Sequence, residues 1–319
     1  MSSSAAGHSP PQTDRVLVSL NPKAGRRSVA LEMERTTQLL VDQGFVVDIV
    51  TDLGTVAEEA NHLHGEKRLR ALIAVGGDGT IAELANRTHP GVPLTIFPSG
   101  TSNLLARQLG FEARPEAMVE TILRGKLVAI DAGSASGKLF LLMIGCGFDA
   151  EVVARVHALR DARRGGHLSY WSYIKPILQS IRSYKYPEIR ICGDEDGAGP
   201  AGHAPPIVAR WAFVFNLPRY GWGLRLAPES DCRDGLLELY AFLRGSLWHG
   251  LRYAAWTQIG RHARLKDCIR RPVRRLRITS EQPVAYQLDG DPGGVLPVEI
   301  EVVPGRVTML MPPSGPSGW

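Results

Sequence analysis

The sequence contains few cysteines and no long apolar segment. Its four cysteines are scattered, with no CxxC pair and no histidines at zinc spacing, so a zinc module and a disulfide framework are excluded. The longest uncharged apolar run, Leu139 to Phe148, is far too short to cross a bilayer. The N-terminus lacks a basic segment followed by an apolar core, and Ser2 in place of glycine excludes myristoylation. These absences predict a cytoplasmic protein without a transmembrane helix.

The sequence lacks the acidic residue that a dinucleotide-binding site would need. Gly77 to Ala82 satisfies the G-x-G-x-x-A dinucleotide pattern, which requires an acid about 20 residues later to bind the ribose hydroxyls. From Leu84 to Phe111 there is no Asp or Glu. A Walker motif is absent as well, because Gly133 to Lys138 has the wrong spacing and no Ser or Thr follows the lysine. NAD(P)-dependent redox chemistry is therefore disfavoured.

The composition that is present is typical of a folded protein with a mildly basic charge. With 319 residues, 44% of them apolar, the chain is long enough for two domains. The net charge of +5 favours an anionic partner. Eight Lys and Arg residues lie between Arg261 and Arg277 against one acid, Asp267, and either a solvated face or contact with anionic lipid explains them. The aromatic residues considered for the same interface are Tyr170, Trp171, Tyr173, Tyr220 and Trp222.

Short apolar strands alternate with helical segments over residues 15–125. This alternation predicts an α/β nucleotide-binding domain, with a parallel sheet and helices on both faces. Residues 126–305 are mostly strand-like and predict an antiparallel β-sandwich domain, interrupted by helices over Ser169–Ser183 and Ser246–Ile259. Residues 306–311 are a candidate strand of the first domain. Residues 1–14 and 312–319 are expected to be disordered tails.

The strongest chemical motif is Gly76-Gly77-Asp78-Gly79-Thr80, directly between a predicted strand and a predicted helix. Glycines allow a phosphate to approach the main chain, and the helix N-terminus supplies N–H donors and the positive end of a dipole. The Asp78 carboxylate would repel phosphate, so its presence favours a divalent cation carried by ATP. An ordinary tight turn with Asp78 near the N-cap is the alternative.

Two further glycine-bearing corners follow predicted strands. One contains Gly100, Thr101 and Asn103 at the start of a helix, and the other runs from Asn21 to Gly25. Nucleotides bind outside the carboxyl ends of parallel strands. We therefore expect the three corners to form one phosphate-binding site.

The segments NPKAG, GGDGT and PSGTSNLLAR, in this order and spacing, resemble the catalytic domain of diacylglycerol kinases, a family that includes sphingosine and ceramide kinases. The resemblance continues through residues 145–150, Asp234-Gly235 and Asp289-Gly290-Asp291. It implies that the first domain binds ATP and that the β-rich domain completes a lipid site.

The resemblance also implies roles for individual residues. Asp291, in one motif with Asp289, is implied to take the proton from the lipid hydroxyl, and Asp78 to organise the metal shell. The implied nucleotide-binding positions are Thr51, Gly76, Gly77, Asp78, Gly79, Thr80, Ile81, Ala82 and Thr101. From the residues alone, Asp291 is better explained as part of an Asp-Gly-Asp-Pro turn.

Further implied positions lie in the second domain. A structural Mg²⁺ site is implied at the Asp234 carboxylate, helped by main-chain oxygens around Asp231 and Leu236. Asp149 is either the cap of the next helix or a contact to the acceptor head group. Leu104 replaces an Asp that is common in bacterial diacylglycerol kinases, so the acceptor is left open.

We expect an ATP-dependent and Mg²⁺-dependent lipid kinase. Its acceptor would be the hydroxyl of a diacylglycerol-like, sphingoid or phosphatidylglycerol-like lipid. It would associate peripherally with an anionic membrane, bind no nucleic acid, and be compatible with a homodimer. The alternatives are an NAD kinase, which shares GGDGT and a β domain, and a catalytically silent lipid- or nucleotide-binding relative.

Overall fold

The computed structural model describes residues 13–20, 27–162, 183–193 and 205–315. Asn21 and Gly25 lie outside the described residues, as does nearly all of the predicted helix Ser169–Ser183 with its aromatic residues. The helices are α1 (Arg27–Asp42), α2 (Leu53–Gly65), α3 (Asp78–Arg87), α4 (Leu104–Leu109), α5 (Pro115–Arg124), α6 (Phe148–Ala162) and α7 (Leu247–Gln258).

The strands of the first half of the chain are β1 (Arg15–Leu20), β2 (Val46–Val50), β3 (Leu69–Gly76), β4 (Pro93–Pro98), β5 (Lys126–Ala135), β6 (Lys138–Phe140) and β7 (Met143–Cys146). Those of the second half are β8 (Ile189–Gly193), β9 (Ile207–Ala209), β10 (Trp211–Phe215), β11 (Arg219–Tyr220), β12 (Leu224–Arg225), β13 (Leu237–Phe242), β14 (Cys268–Val273), β15 (Arg275–Thr279), β16 (Ala285–Leu288), β17 (Asp291–Val295) and β18 (Val298–Met311).

The N-terminal part is a parallel sheet covered by helices on both faces. Strands β2, β1, β3 and β4 are neighbours in that order and run parallel. Successive strand side chains point to opposite faces. In β3, Ile73 joins the apolar cluster formed with α1 and α5, and Leu72 joins the cluster formed with α2 and α3. The predicted α/β architecture is confirmed.

The second sheet is antiparallel and has six strands in the order β14-β13-β10-β7-β16-β17. Its strand β10 pairs antiparallel with both β13 and β7, and β16 pairs antiparallel with both β7 and β17. The antiparallel β-rich part that the sequence predicted after the α/β part is confirmed.

The last strand connects the two halves of the chain. β18, which includes residues 306–311, pairs in parallel with β4 at Thr308 and Met309, and antiparallel with β5 and β15. The first sheet therefore contains ten strands, including β8, β9 and β15 from late in the chain. It thus includes strands from both sides of residue 125, the predicted end of the first domain. The predicted domain limits stay a prediction.

Some elements differ from the sequence-based expectation. Helix α4 begins at Leu104 instead of Thr101, because Asn103 has a left-handed conformation (φ 47°) that a helix cannot include. The predicted strand Val273–Thr279 is split at Arg274 between β14 and β15, which enter different sheets. In the part of the chain described here, no helix combines the length and apolar character needed to span a bilayer.

Candidate active site

The nucleotide-binding residues predicted on three segments lie at one edge of the parallel sheet. In the order β2-β1-β3-β4 the winding changes direction between β1 and β3. An α/β sheet forms its ligand crevice at the carboxyl ends of the strands at such a switch point. Gly76 ends β3 at this edge, Pro98 ends β4, and the exposed Thr51 follows β2. The topology therefore brings these segments to the position expected of a nucleotide site.

Helix α3 begins without a side-chain cap. Its N-cap is Gly77, whose carbonyl oxygen accepts hydrogen bonds from the N–H groups of Thr80 and Ile81 at 3.0 and 3.4 Å. Gly76 cannot be replaced without a shift, because a Cβ there would lie 2.2 Å from Thr80 Oγ1. The first turn of α3 thus combines N–H groups with the positive end of the helix dipole, an arrangement that suits an anion.

The second glycine corner packs directly against the first. The N–H of Ser99 donates to Gly76 O at 2.9 Å, and a Cβ on Gly100 would lie only 2.6 Å from Gly77 Cα. Asn103 Nδ2 donates to Gly100 O at 3.0 Å. Its Oδ1 is buried and has no hydrogen-bond partner among the described residues. The two corners form one unit, and one amide oxygen in it is left to accept a hydrogen bond from a ligand.

Asp78 links these corners through its side chain. Oδ2 accepts a hydrogen bond from Leu104 N–H and Oδ1 accepts one from Leu105 N–H, both at 2.9 Å. Burial raises the pKa of this carboxyl, and the two hydrogen bonds oppose the rise. The observed role of Asp78 is to cap α4 across 26 residues of sequence. Its predicted catalytic and metal-organising role stays a prediction.

Asp291 stands directly after a two-residue hairpin turn. Strands β16 and β17 pair with Leu288 opposite Asp291, and the turn residues Asp289 and Gly290 have φ values of 51° and 93°. Positive φ at both central residues is typical of a type I′ turn, for which Asp-Gly is a favoured sequence. The turn and the candidate catalytic carboxylate are therefore neighbouring residues of one hairpin.

The hairpin brings Asp291 to the N-terminus of α3. A Cβ built on Gly79 would lie 3.2 Å from Asp291 Oδ2. On its other side, Asp291 Oδ1 is 3.3 Å from Nε2 of His157 on α6, and the Asp291 side chain is 51% exposed. We call the space between the α3 N-terminus and Asp291 the crevice. His157 was not predicted, because a lone histidine in a helix carries no local signal.

Asp289 is bound to the main chain of another segment. Its carboxylate accepts hydrogen bonds from the N–H groups of Leu141, Leu142 and Met143 at 2.7, 2.8 and 2.9 Å. Burial raises the pKa of Asp289 to about 6, the three hydrogen bonds oppose the rise, and the Asp78 charge adds to it. These contacts anchor the hairpin in front of β7. A direct catalytic role for Asp289 stays a prediction.

Asp149 is a buried carboxyl at the start of α6. Its Oδ2 lies 3.3 Å from Gln287 Nε2, while Oδ1 is buried without a hydrogen bond to any described residue. Burial raises the pKa of Asp149 to about 6, and hydrogen bonding to the side chains of Gln287 and Tyr220 opposes the rise. Gln287 Oε1 also accepts the N–H of Gly290 at 2.7 Å, so one amide connects Asp149 to the Asp291 hairpin. Gln287 was not predicted from the sequence, because a lone glutamine in a strand carries no local signal.

Aromatic side chains surround the start of α6. The Phe148 ring lies 5.4 Å from the Trp211 ring and 5.7 Å from the Tyr184 ring. Burial and the Asp149 charge both raise the pKa of the Tyr184 hydroxyl. That hydroxyl and the Trp211 Nε1 are buried without a hydrogen-bond partner in the described part of the chain. An apolar region with unsatisfied polar atoms therefore adjoins Asp149.

The predicted metal residues of the second half have other partners. Both Asp231 oxygens accept hydrogen bonds from Arg233, at 3.0 and 3.1 Å, and Asp234 Oδ1 accepts the N–H of Leu236 at 2.9 Å. Burial raises the pKa of Asp234, and the charges of Asp231 and Asp131 add to the rise. No group of three or more His, Cys, Asp or Glu side chains within the described ranges could hold a metal ion. The structural Mg²⁺ site expected at the Asp234 carboxylate and the main-chain oxygens around Asp231 and Leu236 uses other atoms of Asp231 and stays a prediction.

Two predicted nucleotide-binding residues, Ile81 and Ala82, have side chains that pack in or against the core. The Ile81 side chain is fully buried in the core between the sheet and α3, so it cannot contact a ligand. Ala82 is partly buried against the same core. Thr101 is exposed at the second corner. The remaining candidates of the first two corners, Gly76 to Thr80, Gly100 and Asn103, are brought together.

Models of known protein families match both halves of the chain. The diacylglycerol kinase catalytic domain matches residues 15–135, and the YegS C-terminal NAD kinase beta sandwich-like domain matches residues 142–311. A diacylglycerol kinase of Bacillus subtilis (strain 168) is 28% identical over 307 residues, covering 93% of this chain and 96% of that protein. A Yersinia pestis (strain Pestoides F) protein named "Probable lipid kinase YegS-like" is 26% identical over 305 residues, covering 92% of this chain and 96% of its own length.

Solved structures have the same fold. A crystal structure of a diacylglycerol kinase from Bacillus anthracis str. Sterne superposes with a TM-score of 0.70 at 22% identity, covering 96% of this chain and 99% of that one. An NAD kinase from Archaeoglobus fulgidus in complex with ATP is more distant, with a TM-score of 0.52 at 14% identity and coverage of 94% and 93%. At these identities the likeness shows the fold alone.

The matching family models and the named relatives identify an ATP-using kinase that acts on an alcohol group. The chain belongs to the lipid kinase family whose members combine a diacylglycerol kinase catalytic domain with a YegS C-terminal domain. The resemblance read from the three glycine-bearing segments is confirmed.

Proposed function

We propose that the crevice binds ATP together with Mg²⁺ and transfers the γ-phosphate to the hydroxyl of a diacylglycerol-like lipid. The observation that carries this proposal is the approach of Asp291 Oδ2 to Gly79, 3.2 Å from the position of a Cβ there. A base from the hairpin and an anion-binding helix N-terminus then face each other across the same space. The B. subtilis relative named diacylglycerol kinase supports this acceptor class.

The glycine corners fit the nucleotide. The first turn of α3 offers N–H groups to phosphate oxygens, and Gly77 and Gly100 leave no side chain between ligand and main chain. The unpaired Asn103 Oδ1 is an acceptor for a ribose hydroxyl or an amino group of the nucleotide. In this proposal Asp78 does not contact the nucleotide. It fixes the second corner by capping α4.

Most of the Mg²⁺ shell would come from the nucleotide with which the cation arrives. Mg²⁺ in kinases is bound by one or two carboxylates plus substrate phosphates, and it neutralises charge on the transferring phosphoryl group. Asp78 and Asp289 use their oxygens for main-chain N–H groups, whereas Asp291 is half-exposed at the crevice. The chain therefore supplies little of a metal shell by itself.

Asp291 orients the acceptor hydroxyl and takes its proton. Phosphoryl transfer passes through a loose transition state, so positioning contributes most and proton transfer occurs late. Because the hairpin turn and the three hydrogen bonds of Asp289 fix the backbone before it, Asp291 is held at one place. His157 contacts the other carboxylate oxygen and limits its rotation.

The region around Asp149 suits the head group of the acceptor. A hydroxyl of the acceptor lipid donating to Asp149 Oδ1 would satisfy this buried acceptor, and the rings of Phe148 and Trp211 would contact the adjoining apolar atoms. Sphingoid and phosphatidylglycerol-like lipids carry hydroxyls that suit the same site. The enzyme would act from the cytoplasmic side while peripherally associated with the membrane, as a monomer or homodimer.

The test is ATP turnover by the purified chain on micelles of diacylglycerol, a sphingoid base and phosphatidylglycerol. Asp291→Asn is expected to lower kcat by about 10²- to 10⁴-fold while ATP binding stays within about twofold. Asp42→Asn is the matched control, because the same change at an exposed residue of α1 keeps an oxygen for Gln38 Nε2.

Each competing function gives a different result in that assay. Formation of NADP from NAD and ATP without lipid labelling would identify an NAD kinase, to which the fold is related at a TM-score of 0.52. If wild type and Asp291→Asn both bind ATP and neither labels any acceptor, the chain is a silent binding protein. Either result overturns the proposal.

A further inference from the structure

The outward side of α7 carries large apolar side chains. Leu247, Trp248 and Leu251 are 37%, 78% and 53% exposed, and Ile259, directly after the helix, is 60% exposed. On the opposite side, Tyr253 and Thr257 are buried. We call Leu247, Trp248, Leu251 and Ile259 the α7 face.

A helix that packs on a protein normally presents charged or polar residues to water. From Leu247 to Ile259 there is no acidic residue, and Arg252 is the one Lys or Arg. The Arg252 guanidinium is bonded to Asp267, which also accepts from the Tyr253 hydroxyl, so this charge is turned to the base of the helix. The paired Arg252 is therefore the one Lys, Arg, Asp or Glu side chain of the helix, and large apolar side chains make up much of its exposed side.

Basic residues flank the α7 face in the sequence. The chain from Arg244 to Lys266 holds five Lys and Arg residues and no acid. Arg261, Arg264 and Lys266 follow the helix, are exposed, and form no ion pair with any residue in the described ranges. An apolar centre with a basic rim complements an anionic lipid surface, in which apolar side chains enter the acyl boundary and Lys or Arg contact the head groups.

The inner side of α7 packs near the region around Asp149 that is proposed to bind the acceptor. A Cβ on Gly250 would lie 2.9 Å from the Trp211 ring, and that ring is 5.4 Å from the ring of Phe148, the residue before Asp149. One layer of aromatic side chains therefore separates α7 from the start of α6. A membrane bound at the α7 face would lie next to the region proposed for the acceptor.

We propose that the α7 face is a membrane-docking surface that inserts Trp248 and Leu251 into an anionic bilayer. The proposal rests on the proposed function as a lipid kinase, since docking gives a lipid acceptor a short path to the crevice. The rim of Arg261, Arg264 and Lys266 makes the docking depend on anionic lipid and on ionic strength.

The experiment is sedimentation of the full chain with vesicles of phosphatidylcholine alone or with phosphatidylglycerol added. Wild type is expected to partition at least about tenfold more strongly onto the anionic vesicles and to be released by salt. Trp248→Ala with Leu251→Ala is expected to lose about tenfold or more in partitioning. Leu31→Ala with Leu127→Ala removes equally exposed apolar side chains of the other half and is expected to bind as wild type.

A second pair of variants tests the basic rim. Arg261→Glu with Arg264→Glu is expected to abolish the preference for phosphatidylglycerol. The control is Arg124→Glu with Lys126→Glu, two exposed residues at the end of α5 and the start of β5. It carries the same charge change and is expected to keep the preference for phosphatidylglycerol. Equal vesicle binding by wild type and either α7-region variant would overturn the docking proposal. The docking proposal would also be overturned if Trp248→Ala with Leu251→Ala dissociated a dimer and left vesicle binding unchanged.

The outcomes separate this proposal from the proposed function. Docking variants are expected to keep wild-type kcat on a short-chain acceptor below its critical micelle concentration, and to lose activity only on vesicles. Absence of turnover on every acceptor, with anionic vesicles still bound through the α7 face, would refute the lipid kinase function and leave the docking surface. Turnover without any vesicle binding would refute the docking surface alone.

Discussion

Three carboxylates near the crevice differ in their partners, and the partners decide what each can do. Asp78 accepts two main-chain hydrogen bonds and Asp289 accepts three. A carboxylate whose oxygens are committed to N–H groups orients backbone and is poorly placed to receive a proton from a substrate. Asp291 is half-exposed, and among the described residues its one ion-pair contact is the His157 side chain at Oδ1. These contacts support the proposal that Asp291 takes the proton.

From its contact with Asp291 Oδ1, we expect His157 to position the Asp291 carboxylate. Replacing it with alanine is expected to lower kcat about tenfold with KM for ATP unchanged, because Asp291 then rotates away from the acceptor hydroxyl. His157→Gln is expected to restore most of kcat, since its amide can still donate to Asp291 Oδ1. Steady-state kinetics of both variants checks this. Equal loss in both, together with a lowered thermal midpoint, would indicate a purely structural role.

The buried Asp149 makes stability depend on pH. Its folded pKa is about 6 against an ordinary 3.8, so this residue costs no stability at low pH and progressively more as pH rises from about 4 through 6. At neutral pH the cost is on the order of 3 kcal/mol. Asp149→Asn cannot ionise and is expected to flatten this dependence, which urea unfolding at about pH 4.5 and pH 7.5 measures.

The matched control for Asp149 is Asp42→Asn on the exposed side of α1. Its free energy of unfolding is expected to follow the wild-type pH dependence. If Asp149→Asn also keeps the wild-type dependence, the Asp149 carboxyl is paired in solution and is not an unsatisfied acceptor.

At the scale of elements, two loops that are distant in sequence act as one binding corner. The loop after β3 and the loop after β4 touch through Gly77 and Gly100, and Asp78 caps the helix of the second loop. A short helix of six residues such as α4 has little stability of its own, so this cap matters. The corner therefore depends on contacts between elements more than on either loop.

Gly100→Ala is expected to damage this corner more than Gly77→Ala. The new Cβ would lie 2.6 Å from Gly77 Cα and 2.7 Å from Asn103 Oδ1, whereas at Gly77 the nearest atom is 3.3 Å away. Separating the loops is expected to cost about 1–3 kcal/mol of stability and to weaken ATP binding about tenfold or more. Calorimetric titration with ATP and urea unfolding measure these effects.

Gly65→Ala is the control for the glycine substitutions, because no atom lies within 4 Å of a Cβ at the end of α2. It is expected to bind ATP as wild type and to be equally or slightly more stable. Equal ATP affinity in Gly100→Ala and Gly65→Ala would contradict a nucleotide site at this corner.

At the scale of the whole molecule, β18 couples the two halves of the chain. It pairs with β4 of the parallel sheet and with β5 and β15, and Arg306 in it donates to the carbonyl oxygens of Ala85 and Thr88 at the end of α3. One sheet and one apolar cluster thus contain residues from both ends of the sequence. Crevice geometry therefore depends on the last strand.

Met309→Ala is expected to lower the stability of both halves together. Met309 is completely buried in the cluster that also contains Leu94 and Leu105, so truncation leaves a cavity costing about 2–5 kcal/mol. Because the sheet is shared, circular dichroism and tryptophan fluorescence are expected to report one unfolding transition. Val295→Ala, 55% exposed, is the control and changes little. Two separate transitions, with only one shifted, would contradict the coupling.

Part of this molecule follows from local sequence. The strand and helix periods of residues 15–109 predict the parallel sheet, since periods of 2 and 3.6 place apolar side chains on faces that must be buried. The glycines at residues 76, 77 and 100 predict close approach of main chain, because only glycine lacks the Cβ that would block it. The Asp289-Gly290 pair likewise suits the hairpin turn by its own conformational preference.

Other features were decided by tertiary structure alone. Asp78 caps residues 104 and 105, and His157 meets Asp291 from 134 positions earlier in the chain, and neither contact has any local signature. The exposure of the α7 face was also decided by tertiary structure. The apolar residues of this helix do not reveal from the sequence which side the rest of the molecule covers. Conformational preference acts between neighbours in the chain, whereas capping, ion pairing and burial depend on which distant segments meet in space.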